Sequence, residues 1–117
     1  MSKHAEKAIR FSFNWNGKLG CKAFTTIRLM NDEKYQVGEV YHIYLEEKNK
    51  PVAFLGTAEL KHKRRESKSG LDAFTCFLDT GYSAAETRKI LDRMYSRGQD
   101  KELSLDIILL VWIKKAN

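Results

Sequence analysis

The hydrophobic period changes twice along this chain, and those changes decide which folds it can form. Apolar residues alternate with polar ones over residues 9–15 and again over 40–46, which is the period of half-buried strands. Over residues 71–95 they recur at helical spacing instead. Alternation returns over residues 103–113. The pattern therefore predicts strands, then helices, then one long closing strand.

Two further strands are predicted, over residues 23–30 and 52–60, and glycines mark where the chain bends. Asn16-Gly17 is a turn signal that closes the first strand. Gly56 lies inside a strand pattern, which indicates a bulge or a close approach of another backbone. The last strand has polar residues near its start and apolar ones on both faces later, so we expect its start to be half exposed and its end buried.

The helical region divides into two helices. Ser83 and Glu86 form the S-x-x-E capping box that opens the second helix, and glycine at Arg97-Gly98 predicts its end. We expect the aromatic residues of the first helix to pack in the core. The apolar stripes are Leu71, Phe74, Phe77 and Leu78 in the first helix, and Ile90, Leu91, Met94 and Tyr95 in the second.

Element order and length together indicate a fold class. A chain of 117 residues can bury one core without disulfide or metal support, so a single domain over residues 1–117 is expected. Consecutive strands followed by helices favour a mainly-β α+β fold, a small antiparallel β-barrel or curled sheet flanked by two or three helices. A doubly wound parallel sheet is disfavoured because strands and helices do not alternate.

The charge balance favours a polyanionic partner. The formal net charge is +6, and lysine or arginine beside phosphates gains free energy by counterion release. The basic run over residues 61–68 is either a phosphate-binding surface or a solvated strand end and loop. Its candidate ligand-binding residues are Lys61, Lys63, Arg64 and Arg65.

Metal and cofactor chemistry find little support in the sequence. Cys21 and Cys76 each stand alone, and the three histidines are scattered without ligand spacing, so we predict neither a metal nor a cofactor. The first residues are charged and no apolar run is long enough to span a bilayer. A cytoplasmic protein without membrane contact is therefore expected.

The stretch GCKAFTTIRL combines glycine, lysine, threonine and arginine at the start of a strand. With Gly20, Lys22, Thr25 or Thr26, Arg28 and a later Val37-Gly38-Glu39, the chain resembles the ASCH domain of the PUA-like superfamily from about Phe11 to Lys114. That resemblance implies a PUA-like β-barrel with a cleft beside this strand. It also implies that the cleft binds RNA or nucleotides.

One branch of that family comprises small amidohydrolases that act on acetylcytidine with a lysine, a threonine and a glutamate. Carried over, the lysine is Lys22. The threonine is Thr25 or Thr26, because this chain has one extra residue between lysine and arginine. The position of the glutamate falls near Thr80, and Asp79 is the nearest carboxylate.

These residues leave three functions open. A binding domain would use Gly20, Lys22 and Arg28 for phosphate and Trp15 or Tyr82 to stack a base. A hydrolase would need a partly desolvated lysine as proton acceptor, with the carboxylate orienting it. A scaffold for a protein partner would need neither, and Lys22 would then be a surface lysine, the threonines strand formers, Asp79 a turn residue, and Arg28 a surface partner of Asp32 or Glu33.

Overall fold

A computed structural model of the chain describes residues 7–96, 99 and 101–116. The two helices are α1 (Ala73–Thr80) and α2 (Ala84–Tyr95), and short 3-10 segments cover Trp15–Gly20 and Lys68–Gly70. The five strands are β1 (Lys7–Phe11), β2 (Ala23–Leu29), β3 (Val40–Leu45), β4 (Ala53–Ser67) and β5 (Ser104–Lys115).

The strands form one sheet in the order β1-β3-β4-β5-β2, curled into a half-barrel. Strand β1 runs parallel to β3, and the other pairs are antiparallel. The mainly-β α+β class predicted from the sequence is confirmed. Because β1 and β2 are the two edges of the curled sheet, a seam opens between them.

Two apolar clusters stabilise this arrangement, one on each side of the last strand, β5. Alternate residues of β5 serve both, since Ile108 and Leu110 join the cluster enclosed by the curled sheet while Leu105 and Ile107 join the cluster under the helices. The enclosed cluster also contains Ile9, Phe11, Phe24, Tyr41 and Ile43, and the helix-covered cluster Ile27, Leu71, Cys76 and Leu91.

The strand predicted from alternation is confirmed in β3 but was too long in β1. In β3 the alternating Tyr41 and Ile43 are completely buried, as predicted. Strand β1 stops at Phe11, so the predicted strand to Trp15 was too long, and Phe13 is exposed. Asn16 and Gly17 adopt φ of 57° and 64°, the left-handed backbone of the predicted turn.

Two other strand predictions need correction. Strand β4 continues to Ser67, so the basic run is part of a strand and not a loop. Strand β5 is buried at its start and exposed at its end, the reverse of the expectation, because its first half lies between the two apolar clusters. The register shift between Ile43 and Tyr44, opposite Gly56, confirms the predicted bulge.

The predicted capping box of α2 is confirmed, but the predicted apolar stripe of α1 is not. The Ser83 and Glu86 capping box is present. In α1 the aromatic stripe faces solvent, with Phe74 74% exposed, while the buried face carries Cys76, Asp79 and Thr80. The prediction that Phe74 and Phe77 pack in the core was therefore wrong. The opposite face of α1 is buried, and on it Asp79 binds Thr25 and the buried Lys18. The predicted helix end at Arg97-Gly98 lies outside the described residues, and α2 is described to Tyr95.

Candidate functional site

A pocket lies at the seam between the sheet edges β1 and β2, closed on one side by α1 and α2. It encloses about 480 Å³ of empty space, a volume that includes its open mouth. A water-sized sphere can place its centre within only about 60 Å³ of this space, which is below the range of about 300–1,000 Å³ for small-molecule sites, so the pocket is narrow. Its lining combines charged groups with apolar ones, among them Phe11, Lys18, Arg28, Asp79 and Ile90.

A buried ion pair forms the polar centre of the pocket. Lys18 Nζ donates to Asp79 Oδ1 over 3.0 Å, and only 6% and 5% of the two side chains are exposed. The 3-10 segment after the left-handed Asn16 and Gly17 carries Lys18 inward. The Asn16 side-chain amide donates to the carbonyl oxygens of Phe77 and Leu78, which fixes this segment to the end of α1.

Thr25 completes a chain of three polar groups. Its hydroxyl donates to the same oxygen, Asp79 Oδ1, over 2.8 Å. Burial lowers the pKa of Lys18; the carboxylate of Asp79 opposes that effect, and the positive charge of Arg28 adds to it. The arrangement therefore joins a lysine, a carboxylate and a hydroxyl by hydrogen bonds, with the first two in the lining of the pocket.

Arg28 is another charged group of the pocket, and it has no carboxylate partner in the part of the chain that the structure describes. Its Nε donates to Thr26 Oγ1 over 3.0 Å, and its Nη2 crosses the seam to donate to the Arg10 carbonyl over 2.9 Å. The guanidinium carbon lies 4.6 Å from the centre of the Phe11 ring. Among the described residues no carboxylate oxygen lies within 4.0 Å of it.

The alternative surface pairing of Arg28 with Asp32 or Glu33 is not found. Asp32 instead accepts from Lys63 and Arg65, both on β4. Thr26, which is buried, is held by Arg28, whereas Thr25 faces Asp79. The two threonines thus serve different groups, as their neighbouring positions on a strand require.

Aromatic side chains stand at the pocket. Trp15 contributes to its lining, and its ring centre lies 4.8 Å from that of Phe13 and 6.1 Å from that of Tyr82. Tyr82 is 44% exposed, so its ring is accessible beside the opening. This row supplies flat apolar surface next to the charged groups.

The structure brings together only part of the predicted site. Asp79, Thr26 and Arg28 line the pocket, and Thr25 contacts Asp79 from outside the lining. Lys22 is exposed and also lies outside the pocket lining. Gly20 is also exposed and outside the lining, and its carbonyl accepts from Lys115. The lysine beside the carboxylate is Lys18, which the sequence reasoning missed. The preceding Asn16-Gly17 turn was the one signal that the chain reverses there.

The basic run of β4 is largely compensated by carboxylates. Lys63 and Arg65 converge on Asp106, whose side chain is fully buried on β5. Such pairing reduces the field available to a polyanion. The other pairs are Lys61 with Glu59 (3.2 Å), Arg64 with Asp72 (3.6 Å) and Lys68 with Asp92 (2.8 Å).

Neither a metal site nor a membrane-spanning helix is found within the described part of the chain. No group of three or more His, Cys, Asp or Glu side chains there could hold a metal ion. No described helix is long and apolar enough to cross a membrane. Comparisons of the chain with protein-family models, with curated proteins and with solved structures find no match. The ASCH assignment therefore stays a prediction from the sequence.

Proposed function

We propose that the seam pocket binds RNA or a nucleotide-like ligand. The observation that carries this proposal is the Arg28 guanidinium, a cation in a pocket without a carboxylate partner among the described residues. Guanidinium matches phosphate oxygens bidentately, and its hydrogen bonds to Thr26 and the Arg10 carbonyl hold it in place before a ligand arrives.

The neighbouring groups suit the rest of a nucleotide. Trp15 and Tyr82 offer aromatic rings, and stacking of a base on such a ring contributes about 1–3 kcal/mol. The only carboxylate in the pocket lining, Asp79, is already paired with Lys18, so it repels an anion weakly. A phosphate at Arg28 and a base near Trp15 would therefore meet complementary surfaces.

The test is the affinity of 5′-mononucleotides for the protein and for two variants with the same change in charge. Arg28→Gln should weaken binding about tenfold, because it removes a hydrogen-bonded charge from the ligand. Arg64→Gln, in the basic run of β4, should bind as the unaltered protein does. Equal loss in both variants, or none in Arg28→Gln, would overturn the proposal.

A second candidate is hydrolysis of an acylated nucleoside such as acetylcytidine. The contacts of Asp79 Oδ1 with Lys18 Nζ and Thr25 Oγ1 favour it. Thr25 would attack the acyl carbon while its proton passes to Asp79, and the amine would leave with a proton from Lys18. Water would then hydrolyse the acyl ester and restore the three groups.

This candidate is tested by following acetate and cytidine release from acetylcytidine. Thr25→Ala should abolish turnover and Thr25→Ser should retain part of it, because the serine hydroxyl can replace the nucleophile. Lys22→Ala should match the unaltered protein. Turnover that survives Thr25→Ala, or its absence from the unaltered protein, would exclude this mechanism.

A further inference from the structure

A second cationic surface adjoins the seam pocket. It is a groove between β1 and the loop after β2, with about 820 Å³ of empty space that includes its open side. Three cationic side chains line it, those of Lys7, Arg10 and Lys34, against one acidic side chain, Glu33. Arg10 lines both this groove and the seam pocket, so the two surfaces are continuous.

The cations of the groove are poorly compensated. Lys7 Nζ donates to the carbonyl oxygens of Glu33 and Lys34, over 2.5 and 3.3 Å, and among the described residues neither Lys7 nor Lys34 has a carboxylate within 4.0 Å. Arg10 is paired with Glu46. This contrasts with the basic run over residues 61–68, where Lys61, Lys63, Arg64, Arg65 and Lys68 each have a carboxylate partner.

The charges of the groove and the pocket influence each other. Burial is the main cause that lowers the pKa of Lys34, and the positive charges of Arg28 and Arg10 lower it further. Like charges gathered along one line disfavour each other unless an anion binds between them. A ligand with several phosphates would relieve that repulsion, whereas a single phosphate at Arg28 would not reach the whole line.

Aromatic rings lie beside this line as well. The Arg10 guanidinium carbon is 5.0 Å from the centre of the Tyr44 ring, and that ring is 5.4 Å from Phe54, which is 46% exposed. Accessible rings next to cations are what single-stranded nucleic acid binds, because every base has a face that can stack. A polyanion without bases would gain nothing from these rings.

We propose that the groove binds the backbone phosphates of a single-stranded nucleic acid that continues out of the seam pocket. This inference rests on the proposed function, in which the pocket takes one nucleotide. The phosphates that follow it contact Lys34, Arg10 and Lys7, and a neighbouring base stacks on Tyr44 or Phe54. The protein then recognises a strand of several nucleotides, and a free nucleotide fills only part of its surface.

The experiment compares 5′-mononucleotides with single-stranded RNA pentamers of the same base, as a function of salt. The pentamer should bind at least tenfold more tightly. Lys34→Gln should weaken the pentamer several-fold, lower its salt slope by about 0.7, and leave the mononucleotide unchanged. The charge-matched Arg64→Gln should alter neither ligand. Inorganic tripolyphosphate should compete poorly, because it cannot stack.

The outcomes separate this proposal from the one before it. Equal affinity for pentamer and mononucleotide, a pentamer insensitive to Lys34→Gln, or tripolyphosphate that competes as well as RNA would each overturn the groove proposal. Pentamer binding that is indifferent to Arg28→Gln but sensitive to Lys34→Gln would support the groove and reject the pocket. Absence of binding to either ligand would reject both.

Discussion

Lys18 Nζ and Asp79 Oδ1 lie 3.0 Å apart in the interior and join the segment after β1 to helix α1, across 61 positions of sequence. The cost of removing two charges from water makes such a pair an expensive element of structure. Here the same pair also borders an open pocket. Its removal should therefore affect folding and the site together.

Removing one partner of this pair should destabilise the protein strongly. Lys18→Met or Asp79→Leu alone leaves a buried charge without its partner and should cost about 3–5 kcal/mol. The double variant Lys18→Met/Asp79→Leu should cost clearly less than the sum of the two. Urea unfolding of the four proteins measures this coupling. Additive losses would mean that the two charges do not interact in the folded state.

The ion pair also predicts a pH dependence. Because burial lowers the folded-state pKa of Lys18 below 10.5, the unfolded chain holds more protons as the pH nears that value, and stability rises with pH. As the pH rises toward 10.5, the unaltered protein should gain free energy of unfolding relative to Lys18→Met/Asp79→Leu. A difference that stays constant or shrinks over this interval would contradict the assignment.

The same comparison controls for the tyrosines. Burial raises the pKa of Tyr35, Tyr41 and Tyr95, so their contribution to stability is lost as the pH rises above 10.0. Both proteins contain these three residues. The effects of Tyr35 and Tyr41 therefore cancel in the difference. The charge of Asp79 also raises the pKa of Tyr95, so the effect of Tyr95 cancels only in part.

The orientation of α1 can be tested with a matched pair of phenylalanine variants. Phe74→Ala removes an exposed ring and should change the free energy of unfolding by no more than about 0.5 kcal/mol. Phe24→Ala removes a ring buried against Phe11 and should cost about 3–5 kcal/mol. Similar losses in the two variants would place the aromatic face of α1 in the core, as the helical spacing first indicated.

Gly56 should resist even the smallest substitution. Its φ is +134°, and a Cβ atom there would meet the Lys114 carbonyl and lie 2.9 Å from Lys115 Cα. Gly56→Ala should therefore cost about 2 kcal/mol or more. Gly20→Ala, where a Cβ would meet nothing within 4 Å, should fall within about 0.5 kcal/mol of the unaltered protein. Equal thermal denaturation of both variants would rule out the close strand approach at the bulge.

The elements whose pattern depends on one buried face were predictable from the sequence. Tyr41 and Ile43 alternate because one face of β3 meets the core, and Ser83 with Glu86 caps α2 through local hydrogen bonds. The cap depends only on neighbouring residues, and the alternation marks the buried face of β3 without identifying the residues that cover it. The stripe of α1 failed because its orientation depends on Asp79, whose partner Lys18 lies far away in sequence.

The site residues on β2 could be predicted from the sequence, whereas Lys18, which follows the Asn16-Gly17 turn, could not. The sequence of β2 predicted that Thr25, Thr26 and Arg28 belong to the site. The structure adds that the two threonines bind different groups. Lys18 belongs to no periodic pattern, so only the turn before it carried a signal. The compensation of the basic run was hidden because most of its partners lie in other elements, among them Asp106 on β5 and Asp92 on α2.

The most direct test of the seam pocket as a nucleotide site is a backbone-amide NMR titration of the labelled protein with a 5′-mononucleotide. The account predicts shifts at Lys18, Thr26, Arg28 and the Trp15 indole, all of which belong to pocket-lining residues. It also predicts that these shifts weaken in Arg28→Gln. Shifts confined to residues 61–68, or no shifts at saturating ligand, would contradict it.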